Sequence, residues 1–233
     1  MRATLRWLAV GGLVGGLGAC ALFPPVGELD ARRVTVDWAT QLYELEPFAY
    51  HPIEEGRPLF VRGAATPDAG LLVVPAKDRR VRGIDAATGR VIWETETRGP
   101  IGAQPVDLGP NGAADEMLVA SLDGRVYRLS QRNGRELWVS DAPATAGITA
   151  SPVVVGKVDD PKAKVFVTSL DNRLTALSLK DGKKLWQAER QQEQELTVTG
   201  QAGCAVARDL VITGFSDGVL VAFAQDDGVQ VWS

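Results

Sequence analysis

Few side chains in this 233-residue chain could do chemistry, and they are scattered. The one histidine, His51, stands beside Pro52 in an expected loop and is a poor candidate for a catalytic base. Asp159-Asp160-Pro161 offers paired carboxylates but lacks the alternating oxygen ligands of a calcium loop, and a hairpin loop between Val158 and Val165 accounts for it. The chain contains no Cys-x-x-Cys, no His-Glu-x-x-His and no phosphate loop. No catalytic residue and no metal ligand is therefore assigned, and no cofactor is expected. The 25 Lys and Arg against 29 Asp and Glu give a net charge of −4 without a block of either sign, so a basic nucleic-acid footprint is excluded.

One residue has an assignable modification. Met1–Arg6 is basic, Trp7–Leu17 is apolar and rich in glycine, and Leu17-Gly18-Ala19-Cys20 follows. The apolar run is too short to span a bilayer and reads as a secretory leader. Leu-Gly-Ala-Cys resembles a bacterial lipobox, which implies removal of residues 1–19 and acylation of Cys20. Residues 20–33, with Pro24-Pro25, then form a lipidated tether. Each buried methylene of an acyl chain adds about 0.8 kcal/mol of membrane affinity. No aspartate stands just after Cys20 (Leu22 lies two places on), which by the same resemblance implies the periplasmic face of the outer membrane. Lipidation leaves Cys204 without a disulfide partner. Its neighbours Gly203 and Ala205 suit a thiol buried as a small hydrophobe.

The remainder, 34–233, is organised by a repeat. Asp78 precedes Trp93 by fifteen residues, as Asp123 does Trp138, Asp171 Trp186 and Asp217 Trp232. A glycine lies four residues before each tryptophan: Gly89, Gly134, Gly182 and Gly228. The tryptophans are 45, 48 and 46 residues apart, a period that marks a stacked array. In each unit an apolar run leads to an Asp-containing turn, a short run to an x-Gly turn, and another run to the tryptophan. Asp-Gly and its relatives tolerate positive φ and favour tight hairpins. With a further strand upstream, around Gln104-Pro105-Val106 or Ser151–Val155, the unit is a four-stranded antiparallel meander. About four strands per period is the arithmetic of a β-propeller blade. The expected fold is all-β, with about four blades encoded as a partial or open propeller.

The tryptophans are expected to wedge neighbouring sheets apart, each contributing on the order of 2–3 kcal/mol by burial. Small residues ten positions before them (Gly83, Ala176 and Ala222) leave room for the indole, and Arg128 breaks that column in the second unit. Trp38 is the tail of a further unit, so that Val34–Trp38 reads as a closing strand.

Gly83-Ile84-Asp85-Ala86-Ala87-Thr88-Gly89-Arg90-Val91-Ile92-Trp93 resembles the tryptophan-docking motif of quinoprotein-type propellers, with weaker copies at Ala176–Trp186 and Ala222–Trp232. WD40 propellers carry aspartate after the tryptophan, whereas Glu94, Val139, Gln187 and Ser233 follow here. The leader and the lipobox make the resemblance one to the BamB family of outer-membrane lipoproteins. It implies a non-catalytic scaffold that binds the BamA-like barrel insertase and assists assembly of outer-membrane proteins. It covers the first half of a typical member, which has about eight blades, the upper end of the usual range. A fragment or short variant of such a member is expected, with a four-blade ring and paired half-rings as other outcomes. The family's Leu-x-Leu-Arg-Gly partner segment matches Leu196-Thr197-Val198-Thr199-Gly200, where Leu196 and Val198 keep the apolar character and Thr199 replaces arginine. Two other functions are open: a fragment of a pyrroloquinoline-quinone dehydrogenase, or an envelope lipoprotein with another protein or polysaccharide partner.

Overall fold

The computed structural model describes residues 37–42, 57–61, 70–109, 115–141, 146–189 and 202–233. The chain divides between Asp37 and Trp38, and every element below belongs to the unit Trp38–Ser233. The described residues hold sixteen strands and no helix. They form four antiparallel meanders, each a β-propeller blade with its strands in chain order. The first comprises β1 (Leu59–Val61), β2 (Leu71–Pro75), β3 (Arg80–Asp85) and β4 (Val91–Glu96). The second comprises β5 (Val106–Asp107), β6 (Glu116–Ala120), β7 (Val126–Ser130) and β8 (Glu136–Val139). The third comprises β9 (Val153–Val155), β10 (Lys164–Ser169), β11 (Arg173–Ser178) and β12 (Lys184–Glu189). The fourth comprises β13 (Ala205–Ala207), β14 (Leu210–Gly214), β15 (Leu220–Ala224) and β16 (Gln230–Trp232).

The turns take the backbone that their residues allow. In the hairpins β2–β3, β6–β7, β10–β11 and β14–β15 the residue after the turn aspartate has positive φ: +65° at Arg79, +80° at Gly124, +58° at Asn172 and +81° at Gly218. The preceding aspartates help to close these loops: Asp123 Oδ1 accepts from the Arg125 amide at 3.1 Å and Asp217 Oδ1 from the Val219 amide at 3.1 Å. Asp171 accepts from the Ser169 hydroxyl at 2.5 Å and pairs with Arg173. Asp160 is also a turn residue, accepting the Lys162 amide at 2.8 Å.

Adjacent blades are joined by their tryptophans. Trp93 reaches from β4 to the second blade, where its indole donates to the Gln131 carbonyl at 2.9 Å. Trp138 donates to Leu179 of the third blade at 3.1 Å, and Trp186 to Gln225 of the fourth at 2.9 Å. Trp38 donates to Ala86 of the first blade at 3.0 Å. The glycine of each x-Gly turn therefore receives the ring of the preceding unit rather than its own. A Cβ at Gly134 would lie 2.5 Å from Trp93 Cε3, closer than real carbon atoms approach. Asp37–Leu42 carries no strand and Val34–Val36 lies outside the described residues; the described segment meets the first blade through the Trp38 ring and through the Thr40 hydroxyl, which donates to the Gly89 carbonyl. The first blade takes its inner strand from Leu59–Val61, which the sequence pattern did not single out.

Three apolar cores fill the blade interfaces. Val73, Val81 and Trp93 meet Met117, Tyr127 and Leu129. Leu118 and Val126 meet Val165 and Leu177, and Phe166 and Leu174 meet Val211, Val221 and Phe223. Each core joins aliphatic side chains, with aromatic ones in two of the three, that alternate off two pleated sheets.

The outer strand of every blade is bulged at one place. Gly83, Arg128, Ala176 and Ala222 face Trp93, Trp138, Trp186 and Trp232, and the register shifts immediately afterwards. The displaced residues are Ile92, Leu137, Leu185 and Val231, all of them exposed. Arg128 stands where the other blades have a small residue, yet it does not displace the indole. Its guanidinium donates to the Leu179 carbonyl at 2.8 Å, the oxygen that also accepts from Trp138, and is paired with Glu116. The arginine thus adds a second link between the second and third blades.

Gly134→Ala is expected to cost about 3 kcal/mol, because it adds both a clash and strain at positive φ. For a unit of this size that lowers the melting temperature by about 6–12 °C. Gly218→Ala, which meets nothing within 4 Å at a similar φ, isolates the strain and should cost about 1 kcal/mol. Equal losses for the two variants would show that the socket is not sterically filled. Arg128→Ala should destabilise by about 2 kcal/mol in denaturant titration, since it strands Glu116. Arg128→Lys recovers only part, because a single ammonium lacks the fork that reaches both partners.

Candidate functional site

The loops that enter the inner strands share one pattern. Arg57-Pro58-Leu59, Gln104-Pro105-Val106 and Ser151-Pro152-Val153 recur at intervals of 104 − 57 = 47 and 151 − 104 = 47 residues. Cys204-Ala205-Val206 is the fourth copy, 204 − 151 = 53 residues on. Proline suits a strand start, where no ladder donor is required. Arg57, Gln104, Ser151 and Cys204 all line one cavity of about 890 Å³. Lys77 and Leu122, each immediately before a turn aspartate, line it too.

Main-chain hydrogen bonds stitch this end of the blades together. The Ile101 amide donates to Ala76 at 3.3 Å, and the Leu122 amide to Pro100 at 2.8 Å. One blade further, Ile148 donates to Ser121 at 3.1 Å and Leu170 to Gly147 at 2.9 Å. Entry loop and Asp turn thus alternate as donor and acceptor, which fixes the backbone that carries the lining side chains. The Gln104 side-chain amide adds a bond to the Pro58 carbonyl at 3.2 Å, tying down the residue after Arg57.

The wall is cationic at two points, Arg57 and Lys77, and contains no aspartate or glutamate. The rest is small or apolar: Pro100, Gly102, Leu122, Ala150, Pro152, Val153 and Gly203 complete it with Thr149. Cys204 is buried, with its sulfur 3.7 Å from the Phe166 carbonyl oxygen. Burial pushes its thiol up to about 12. Such a thiol stays protonated and is a poor nucleophile. Among the described residues no three His, Cys, Asp or Glu side chains are grouped to hold a metal ion.

The sequence-derived sites fall in different places. Trp38, Trp93, Trp138 and Trp186 lie over Gly89, Gly134, Gly182 and Gly228, respectively. Trp232 is 40% exposed, against 8% for Trp93. Cys20, His51, Leu196, Val198 and Thr199 lie outside the described residues. The cavity residues were not singled out in the sequence. Their signal is the repeated x-Pro-aliphatic start, which differs in its first residue in every copy.

The Cys204 thiol has a pH consequence. An acid whose folded-state pKa is raised binds its proton in the folded chain after the unfolded chain has lost it. Stability is therefore full below about pH 9 and falls as pH rises towards 12. Burial shifts Tyr127 in the same direction. Cys204→Ala should flatten the alkaline arm of a melting-temperature profile, and native Cys204 should resist maleimide at pH 8 until denaturant is added. Rapid native labelling would contradict the buried thiol.

Known proteins resemble this chain in sequence and in fold. The family model for the outer membrane protein assembly factor BamB matches residues 26–159 and 154–233. An outer membrane protein assembly factor BamB from Vibrio cholerae serotype O1 is 35% identical over 154 residues, which cover 63% of this chain and 35% of that protein. The match thus spans about a third of the length of this curated relative. The crystal structure of BamB from Moraxella catarrhalis superposes with a TM-score of 0.57 at 18% identity, covering 76% of this chain and 50% of that one. The computationally designed Ika8 protein superposes with a TM-score of 0.53 at 18% identity, over 70% of this chain and 45% of the design. At these identities the superpositions speak for the fold, and the family match runs through every blade. The chain belongs to the family of the outer membrane protein assembly factor BamB.

Proposed function

We propose that this chain is a non-catalytic scaffold, moored by an acylated Cys20 to the periplasmic face of the outer membrane, that binds a BamA-like barrel insertase and assists assembly of outer-membrane proteins. The observation that carries this reading is the family match over residues 26–159 and 154–233. The Vibrio cholerae relative bears the corresponding name. Two features of the chain agree with a scaffold. Its repeated side chains are used in joining blades, through indole-to-carbonyl bonds and three interface cores. The thiol at the cavity is held protonated by burial, in a form unsuited to covalent catalysis.

The partner contact is assigned to Leu196, Val198 and Thr199, in the segment that joins β12 to β13 in sequence. In an extended segment Leu196 and Val198 share a face, with Thr199 on the other. An apolar pair of this kind can anchor an interface when a partner covers it. Leu196→Ala combined with Val198→Asp should reduce capture of the insertase's periplasmic domains at least tenfold while leaving the melting temperature unchanged. Capture at the native level by the doubly substituted chain would remove this segment from the interface.

A further inference from the structure

We propose that the cavity at the inner strands binds a carboxylate carried on an apolar body, with Arg57 as its anchoring cation. This inference is independent of the scaffold reading above and concerns the cavity alone.

The position shared by the four entry loops sets the chemistry of the wall. Gln104, Ser151 and Cys204 are uncharged, so of the four equivalents only Arg57 bears charge. Lys77 adds a second cation from the next repeat position, where the second blade has Leu122. With no acidic residue in the wall, a cationic cavity selects an anion. Arg57 forms no salt bridge with a described residue. A planar guanidinium engages a carboxylate through two parallel hydrogen bonds, a geometry that favours this oxyanion. Its backbone is already held, because Gln104 binds the carbonyl of Pro58 next to it.

The rest of the wall argues for an apolar body behind the charge. Pro100, Leu122 and Pro152 are rigid or aliphatic surfaces. A volume of about 890 Å³ lies within the range of sites that enclose a small ligand or the last few residues of a peptide. The inner strands add a directional element. Among the described residues β5, β9 and β13 each pair on one side only, with β6, β10 and β14, and their other main-chain edges face no described strand. An extended peptide end can pair with such an edge while its α-carboxylate meets Arg57. A peptide C-terminus and a small aliphatic acid therefore share the recognised chemistry.

Calorimetry on the purified full chain distinguishes these sources and tests the site. The probes are a hexapeptide of alternating valine and serine with a free C-terminus, the same peptide amidated, and hexanoate. The free-carboxylate peptide or hexanoate should bind, and amidation should weaken the peptide at least tenfold. Arg57→Gln should cause a similar loss for each carboxylate and no additional loss for the amidated peptide. Binding of the peptide without hexanoate assigns the site to a chain end, and binding of hexanoate assigns it to small acids. Equal affinity for the free and amidated peptides overturns the proposal, as does the absence of carboxylate binding below millimolar concentration. Arg57 is exposed, so its replacement should not lower the melting temperature. If it does, the comparison of free with amidated peptide on the native chain decides the matter.

Discussion

An indole laid over the glycine turn of the following blade, with its N–H on a main-chain carbonyl, is the contact on which the architecture rests. A blade on its own has two apolar faces and too little sheet to bury them. Stacking hides those faces, but apolar contact alone does not fix how far one sheet slides along another. The indole hydrogen bond supplies a direction, and the absent Cβ at Gly134 or Gly182 lets the ring approach to van der Waals distance. Because each ring crosses to the next unit, stability is shared between neighbours rather than held within blades, as in other repeat arrays. Trp93 buries almost completely and Trp232 does not, although both hold the same position in the motif.

Much of this was legible in the sequence. The tryptophan period and the Asp and Gly turns were enough to place the four meanders, because both are local and repeat in phase. What remained hidden depends on contacts between units. The period cannot say whether a glycine receives its own unit's ring or that of the unit before, and the second arrangement holds. Arg128 looked like a break in the column of small residues. In the fold its long side chain turns aside to the carbonyl that Trp138 also uses, so that an apparent defect became a second link. The strand β1 escaped notice because Leu59–Val61 is short and its neighbours carry no tryptophan or turn signature.

The cavity was hidden for a related reason. Its residues are fixed by position in the repeat but not by type, so no motif connects arginine, glutamine, serine and cysteine until the inner strands bring them together. Repetition gives a uniform frame, and the frame leaves single positions free to vary at its inner end. The charge of the wall is consequently set by two cationic side chains, Arg57 and Lys77, on loops whose backbones are stitched from blade to blade.

The displaced aliphatic residues of the outer strands have a bearing on solubility. A sheet that ends in a straight, unpaired strand is a template on which another chain can lengthen it. In β4, β8, β12 and β16 the register slips beside the tryptophan, and one residue leaves the ladder. That kink interrupts the run of donors and acceptors a foreign strand would need, at the same place on every blade. The geometry that aims the indole inward thereby also guards the rim against edge-to-edge fibre growth, although it leaves Ile92, Leu137, Leu185 and Val231 in water.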